Sequence, residues 1–142
     1  MVVAARSEKF STHRALVVED NEHVAYMLEF MLERAGYEVI LAANGRDAQA
    51  AIDNVAPVDV VLLDLMLPYV SGYQLIEEIR ANHEWQYVPI VVLSGKVLEE
   101  DIVQALDLGA NDYVTKPFRP EELLARLRRV VADSERLAQA KP

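Results

Sequence analysis

Asp64 closes the unbroken apolar run Val60-Val61-Leu62-Leu63. A carboxylate there is costly to bury unless a metal, a cation or exposure at the end of the run compensates it. Two more carboxylates, Glu19 and Asp20, follow the apolar segment Ala15-Leu16-Val17-Val18, while Ser94 follows Val91-Val92-Leu93 and Lys116 follows Tyr113-Val114-Thr115. Three carboxylates brought within about 4 Å of one another repel by roughly 4 kcal/mol per pair at an effective dielectric near 20, so they require a cation. Hard oxygen ligands without a nearby His or Cys favour Mg²⁺, which keeps some of its waters and is commonly shared with a phosphate. A carboxylate beside Mg²⁺ can attack phosphorus and form an aspartyl phosphate while the metal and a lysine neutralise the transferring oxygens. In that chemistry Asp64 is the nucleophile, Glu19 and Asp20 hold the metal, Lys116 pairs with one phosphoryl oxygen and Ser94 hydrogen-bonds to another. Lys116 also reads as a structural partner of the acids, and Ser94 as a helix cap.

Such a constellation works only if the chain brings these residues together. Ala15 to Val18 reads as a strand, and Glu19-Asp20-Asn21 offers capping oxygens to a helix with Val24, Met27, Leu28, Met31, Leu32 and Ala35 at helical spacing, closed by Gly36. Tyr37 to Ala42 is a second strand. Asn44 opens a helix with Ala48, Ala51, Ile52 and Val55 on one face, stopped by Pro57. The third strand is Val58 to Leu63, the helix after Gly72 turns Leu75, Ile76 and Ile79 inward, and Val88 to Leu93 is the fourth strand. A fourth helix from Glu99 to Leu108 presents Ile102, Val103, Leu106 and Leu108 and ends at Gly109; Asp112 to Thr115 is the fifth strand. Pro120, Glu121 and Glu122 introduce a last helix carrying Leu123, Leu124, Leu127, Val130 and Val131, whose apolar face thins past Asp133. Strands alternating with helices imply an open α/β domain with a parallel sheet and helices on both faces. The working crevice of such a sheet lies beyond the carboxyl ends of its strands, where all five polar residues fall.

Composition sets the outer limits. The 142 residues suffice for one core, and 52% apolar with 26% charged residues is the balance of a soluble globular chain. No apolar run approaches the roughly 18 residues of a membrane span, residues 1–13 lack the apolar core of a signal peptide, and there is no cysteine. The expectation is a cytoplasmic protein with no membrane partner. A net charge of -9 opposes direct DNA binding, and Arg126, Arg128, Arg129 and Arg136 read as cations near the end of a helix. His13, His23 and His83 have no ligand spacing and read as surface residues.

The pieces Val17-Val18-Glu19-Asp20-Asn21, Leu63-Asp64-Leu65-Met66-Leu67-Pro68 through Gly72, Val92-Leu93-Ser94-Gly95 and Gly109-Ala110-Asn111-Asp112-Tyr113-Val114-Thr115-Lys116-Pro117-Phe118 together resemble a response-regulator receiver domain of two-component signalling, the CheY-like family. The resemblance covers Arg14 to Ala132. It leaves residues 1–13 as a flexible N-terminal arm and residues 133–142 as the end of the last helix with a polar tail. It implies a flavodoxin-like domain with a five-stranded parallel sheet of order 2-1-3-4-5, and phosphorylation of Asp64 by a histidine kinase or a histidine phosphotransfer protein. Mg²⁺ would be held by Glu19, Asp20, Asp64 and the backbone carbonyl of Met66, and Lys116-Pro117 would be cis. Ser94 and Tyr113 would be the switch residues, Ser94 moving toward the phosphoryl group and Tyr113 rotating inward, although Tyr113 also reads as a strand aromatic packed on the core. The output would be a changed surface on the fourth helix, fifth strand and last helix, read by an unidentified downstream protein in trans.

Some positions vary from the commonest pattern. Glu19 stands where Asp is frequent and reaches further toward the metal. Ile102 stands near the place where receivers that dimerise through the output face carry a basic residue able to pair with an acid matching Glu122. A phosphorylation-dependent dimer is thereby weakened, though Asp112 and Arg126 are retained. Met66 and Lys96, two residues beyond Asp64 and Ser94, occupy positions that influence phosphoryl lifetime in this family, and apolar Met66 is expected to obstruct the attacking water. The competing enzyme reading is a haloacid-dehalogenase-type phosphatase, which would place an Asp at position 66 and its nucleophile after the first strand. The glycines are too widely spaced for a Gly-x-Gly-x-x-Gly dinucleotide turn. A receiver scaffold that binds partners without phosphorylation is the remaining alternative. Beyond self-phosphorylation from a donor and self-dephosphorylation, no enzymatic turnover is expected.

Overall fold

A computed structural model describes residues 13–140, so the expected N-terminal arm lies outside the described residues except for His13. His13 opens β1 (His13–Val18), which leads into α1 (Glu22–Arg34) and β2 (Tyr37–Ala42). Then follow α2 (Gly45–Asn54), β3 (Val60–Leu63), α3 (Gly72–Ala81), β4 (Ile90–Ser94), α4 (Glu99–Leu108), β5 (Asp112–Thr115) and α5 (Pro120–Ala140). The strands form one parallel sheet of order β2-β1-β3-β4-β5. The fold is therefore the flavodoxin-like one that the resemblance implies.

Local signals account for the helix starts. Asn21 accepts from the Val24 amide at 3.0 Å, Asn44 from Asp47 at 2.8 Å and Ser71 from Gln74 at 3.2 Å, so each satisfies an amide that the first turn leaves unpaired. Gly36 and Gly109 have φ of 98° and 126°, a conformation that glycine adopts without a Cβ penalty after a helix end.

Both faces of the sheet are apolar because alternate strand residues point to opposite sides. Leu16, Val18, Val61, Leu63, Ile90 and Val92 meet α2 and α3 through Ala48, Ile52, Leu75, Ile76 and Ile79. Ala15, Val17, Val60, Leu62, Val91 and Leu93 meet Leu28, Met31 and Leu32 of α1 and Leu123, Leu127, Val130 and Val131 of α5. Each fully buried Leu or Ile contributes roughly 1.5–3 kcal/mol through transfer from water.

Three sequence expectations need correction. The third and fourth strands begin two residues later than expected. The Asp59 amide donates to the Arg14 carbonyl and its carboxylate accepts from the Arg14 amide, while Val88 closes a turn onto the Trp85 carbonyl and Pro89 has no amide proton. On α4 the fully buried residue is Ala105, whereas Val103 and Leu106 are 45% and 42% exposed. A small residue at the contact lets α4 lie close to the sheet, which turns its larger apolar residues outward. Met27 of α1 is likewise outside, 47% exposed, beside exposed Tyr26 and Phe30. The last helix, α5, runs to Ala140 although its apolar face fades past Asp133, helped by an Asp133–Arg136 ion pair and by the absence of Gly or Pro after Pro120. Among the described residues no helix is long and apolar enough to cross a membrane.

Candidate functional site

Strand register delivers the polar residues to one place. Val18 pairs with both Ala42 and Leu63, so Glu19 and Asp64 are the next residues on neighbouring strands. The ladder continues one step past them: the Glu19 amide donates to the Ala42 carbonyl at 3.0 Å and the Asp64 amide to the Val18 carbonyl at 3.1 Å. Ser94 pairs with Thr115, and the Lys116 amide donates to the Ser94 carbonyl at 2.9 Å. The Lys116-Pro117 peptide is cis.

Lys116 Nζ donates to Glu19 Oε1 at 2.8 Å and to Asp64 Oδ2 at 3.0 Å. Both carboxylates are buried, and the exposed Asp20 completes a group whose ligand atoms lie within 4.8 Å of one another. Glu19 is held above its ordinary carboxyl pKa because burial outweighs its bonds to Lys116 and the Asn21 amide, with Asp64 adding repulsion. Lys116 loses to burial but gains more from its two carboxylate partners and is held above the ordinary lysine value. Three carboxylates thus share one ammonium, which leaves the group with excess negative charge. That excess negative charge, built only from oxygen donors, suits a hard divalent cation such as Mg²⁺.

The remaining polar contacts radiate from Asp64 and Ser94. The Met66 amide donates to Asp64 Oδ1 at 3.1 Å, which fixes the second carboxylate oxygen, and Met66 itself is 60% exposed. The loop carrying Met66 is packed from below at two glycines. A Cβ on Gly72 would lie 2.3 Å from the Asp64 carbonyl oxygen, and one on Gly45 would lie 2.3 Å from the Val70 carbonyl oxygen. Arg46 covers the ring of Tyr69 at 4.2 Å on the outer side of the same loop.

Ser94 is fully buried and its Oγ accepts from the Lys96 amide at 3.3 Å. Tyr113 Oη donates to the Lys96 carbonyl at 2.7 Å while its ring packs against the core. Burial, ahead of the nearby acids, holds the Tyr113 phenol above its ordinary pKa. Of the residues singled out from sequence, Glu19, Asp20, Asp64 and Lys116 form one cluster, and Ser94, Lys96 and Tyr113 form a second, bonded set beside it. Sequence reasoning missed Tyr73 and Asp101, which join that second set through Lys96. Asp101 had the look of an ordinary acid in a first helical turn, and only the packing of α3 against α4 reveals its partner. A recess of about 210 Å³ lined by Val58, Pro89, Val131 and Glu135 lies at the amino edge of the sheet and contains none of these residues.

A parallel sheet of this order with acids, a hydroxyl and a lysine at its carboxyl edge defines a receiver-type phosphoacceptor fold. The family model described as the response regulator receiver domain matches residues 15–128, and the chain belongs to that family, whose members are signalling phosphoacceptors of two-component systems. Among solved structures, the chain is similar to the chemotaxis response regulator CheY4 of Vibrio cholerae, with 32% identity, 84% of this chain and 98% of that chain covered, and a TM-score of 0.79. It is also similar to the receiver domain of a sensor histidine kinase from Pseudomonas aeruginosa with a magnesium ion coordinated in the active-site cleft, with 36% identity, 85% and 98% coverage and a TM-score of 0.78. A response regulator from Chloroflexus aurantiacus matches at 37% identity, 85% and 98% coverage and a TM-score of 0.78.

Proposed function

We propose that Asp64 accepts a phosphoryl group from a phosphohistidine of a histidine kinase or phosphotransfer protein. The single observation that carries this is Lys116 bridging Glu19 and Asp64 at 2.8 and 3.0 Å within a group of three carboxylates. An Asp64 oxygen forms the new bond to phosphorus as the bond to the donor imidazole breaks, leaving an acyl phosphate and the free imidazole. Lys116, already at the carboxylate, transfers one of its hydrogen bonds to a phosphoryl oxygen. Ser94, whose Oγ accepts from Lys96, keeps its own hydroxyl proton to donate to another. Glu19, Asp20, Asp64 and the Met66 carbonyl would hold Mg²⁺, which when bound offsets negative charge on the transferring oxygens.

The readout in this proposal is the surface of α4, β5 and α5, recognised by a downstream protein in the cytoplasm and not by DNA. Ser94 and Tyr113 carry the switch. Going from 1:99 to 99:1 takes roughly 5.5 kcal/mol, and two new charge-assisted bonds at about 1.5–3 kcal/mol each supply most of it. Arg126 already pairs within the chain, at 3.1 Å to both Asp112 and Glu122, and Ile102 adds no cation, so a phosphorylation-dependent dimer through this face would be weak. Met66 and Lys96 would set the phosphoryl lifetime. Met66 in the place of a general acid disfavours phosphatase turnover.

The test is incubation with acetyl phosphate and Mg²⁺ followed by intact mass measurement. The wild type should gain one phosphoryl group and Asp64→Asn none. An unmodified wild type would leave the phosphorylation-independent scaffold as the better reading, and a modified Asp64→Asn would move the acceptor elsewhere.

A further inference from the structure

The start of α4 is held differently from the starts of α1, α2 and α3. Its N-cap position is Leu98, which makes no side-chain capping bond, and α4 buries only Ala105 completely. Its first turn carries Glu99, Glu100 and Asp101, and Asp101 alone reaches back to the body of the domain: Tyr73 Oη on α3 donates to Asp101 Oδ1 at 3.4 Å. The same carboxylate oxygen lies 3.7 Å from Lys96 Nζ, and Lys96 Nζ lies 5.9 Å from the Tyr73 ring centroid. Lys96 is therefore used three ways, its amide on Ser94 Oγ, its carbonyl on Tyr113 Oη and its ammonium on Asp101.

We propose that Tyr73, Asp101 and Lys96 form a clamp through which the state of the Asp64 pocket sets the position of α4, with Asp101 the residue by which the helix is held. The proposal rests on the receiver reading and adds the means of transmission. The Lys96 amide and ammonium belong to one residue, so a Ser94 hydroxyl drawn to a phosphoryl oxygen carries the Lys96 backbone with it, draws the ammonium off Asp101 and loosens the clamp. With no cap and little buried apolar area, the first turn of α4 has no second anchor of comparable strength. Tyr73 stays a protonated donor, its phenol pushed up to about 12 by burial and by the charge of Asp101.

The test is hydrogen exchange, read by mass spectrometry over the amides of Asp101 to Val103, with and without acetyl phosphate and Mg²⁺, and with phosphoryl incorporation measured on the same samples. In the wild type, phosphorylation should speed exchange about tenfold, the scale of one lost charge-assisted hydrogen bond. Asp101→Asn and Tyr73→Phe keep the side-chain shapes. Both should exchange about tenfold faster before phosphorylation, respond little to it and still take up the phosphoryl group. Glu100→Gln removes the same charge from the same turn without touching the clamp and should behave as the wild type. Wild-type protection and response in Asp101→Asn would overturn the proposal, as would equal loss in Glu100→Gln or a phosphorylated wild type with unchanged exchange. A wild type that takes up no phosphoryl group would overturn the receiver reading together with the clamp.

Discussion

Lys116 Nζ donates to Asp64 Oδ2 at 3.0 Å, so the proposed nucleophile is paired with its cation before a phosphoryl donor arrives. The same ammonium serves Glu19, and Asp20 adds a third negative charge, which leaves the group short of positive charge. Asp64→Asn removes one of those charges while its amide oxygen can still accept from Lys116. The variant should be more stable than the wild type by about 1 kcal/mol, in line with the usual exchange of stability for function at charged sites. Thermal unfolding in a chelator should show its Tm higher by roughly 3–4 °C. A lower Tm would mean that the Lys116–Asp64 contact outweighs the repulsion around it.

Glu19 gives the metal-free protein a specific pH signature. Its folded-state pKa is raised above 4.5, the ordinary value, mainly by burial. A raised carboxyl contributes stability that is fully present below 4.5 and is lost as pH rises through the folded value. Glu19→Gln cannot ionise, so its stability relative to the wild type should grow across that window and then level off. Urea unfolding of both proteins at several pH values in chelator measures the difference directly. A difference that stays flat, or shrinks as pH rises, would contradict the burial of the charged form.

The strand ends were legible because each apolar run stops at a polar residue, and one register then brings Glu19, Asp64 and Lys116 together. Helix starts at Asn21, Asn44 and Ser71 follow from local capping, although Ser71 carries no stronger signal than other serines. The face that α4 buries was not legible. Val103 and Leu106 are more hydrophobic than Ala105, but close approach to the sheet selects the small side chain, and that approach is a property of three dimensions. Tyr73 and Asp101 were hidden for a related reason. Their partners are 28 residues apart on different helices, beyond any periodicity within one element.

Met66 offers a test of phosphoryl lifetime. Its amide is bonded to Asp64 Oδ1 and the residue is 60% exposed, which leaves an apolar group beside the proposed acceptor that cannot bind an attacking water. Met66→Asn keeps a side chain of moderate size but adds groups that can bind and orient that water. Self-dephosphorylation should be faster in the variant, by roughly the tenfold that one hydrogen bond of about 1.4 kcal/mol would bring if made only in the transition state. Loss of the adduct over time, followed by intact mass after removing acetyl phosphate, gives the rate. An equal or slower rate in the variant would dismiss Met66 as an obstruction.

Arg80 joins segments far from the carboxylate cluster, and its loss should cost stability without removing any site residue. Its guanidinium donates to the Gly109 carbonyl from Nε at 3.0 Å and from Nη2 at 2.8 Å, and to the Gln86 and Val88 carbonyls at 3.0 and 2.7 Å. Nη2 also reaches Asn111 Oδ1, which accepts from the Ile90 amide at the start of β4. One planar fork thus ties the end of α3 to both the α3–β4 and α4–β5 connections, a task the single nitrogen of lysine cannot perform. Burial holds the Arg80 pKa below its ordinary value, yet a guanidinium remains charged at neutral pH. Arg80→Met keeps the aliphatic stem and leaves those carbonyls without their donor. It should destabilise the fold by about 3 kcal/mol. Arg80→Lys should recover only a minor part of that loss, because an ammonium cannot span the same acceptors. Urea unfolding with matched m-values would measure both losses. Equal stability of Arg80→Lys and the wild type would show that charge alone suffices and that the fork geometry is dispensable.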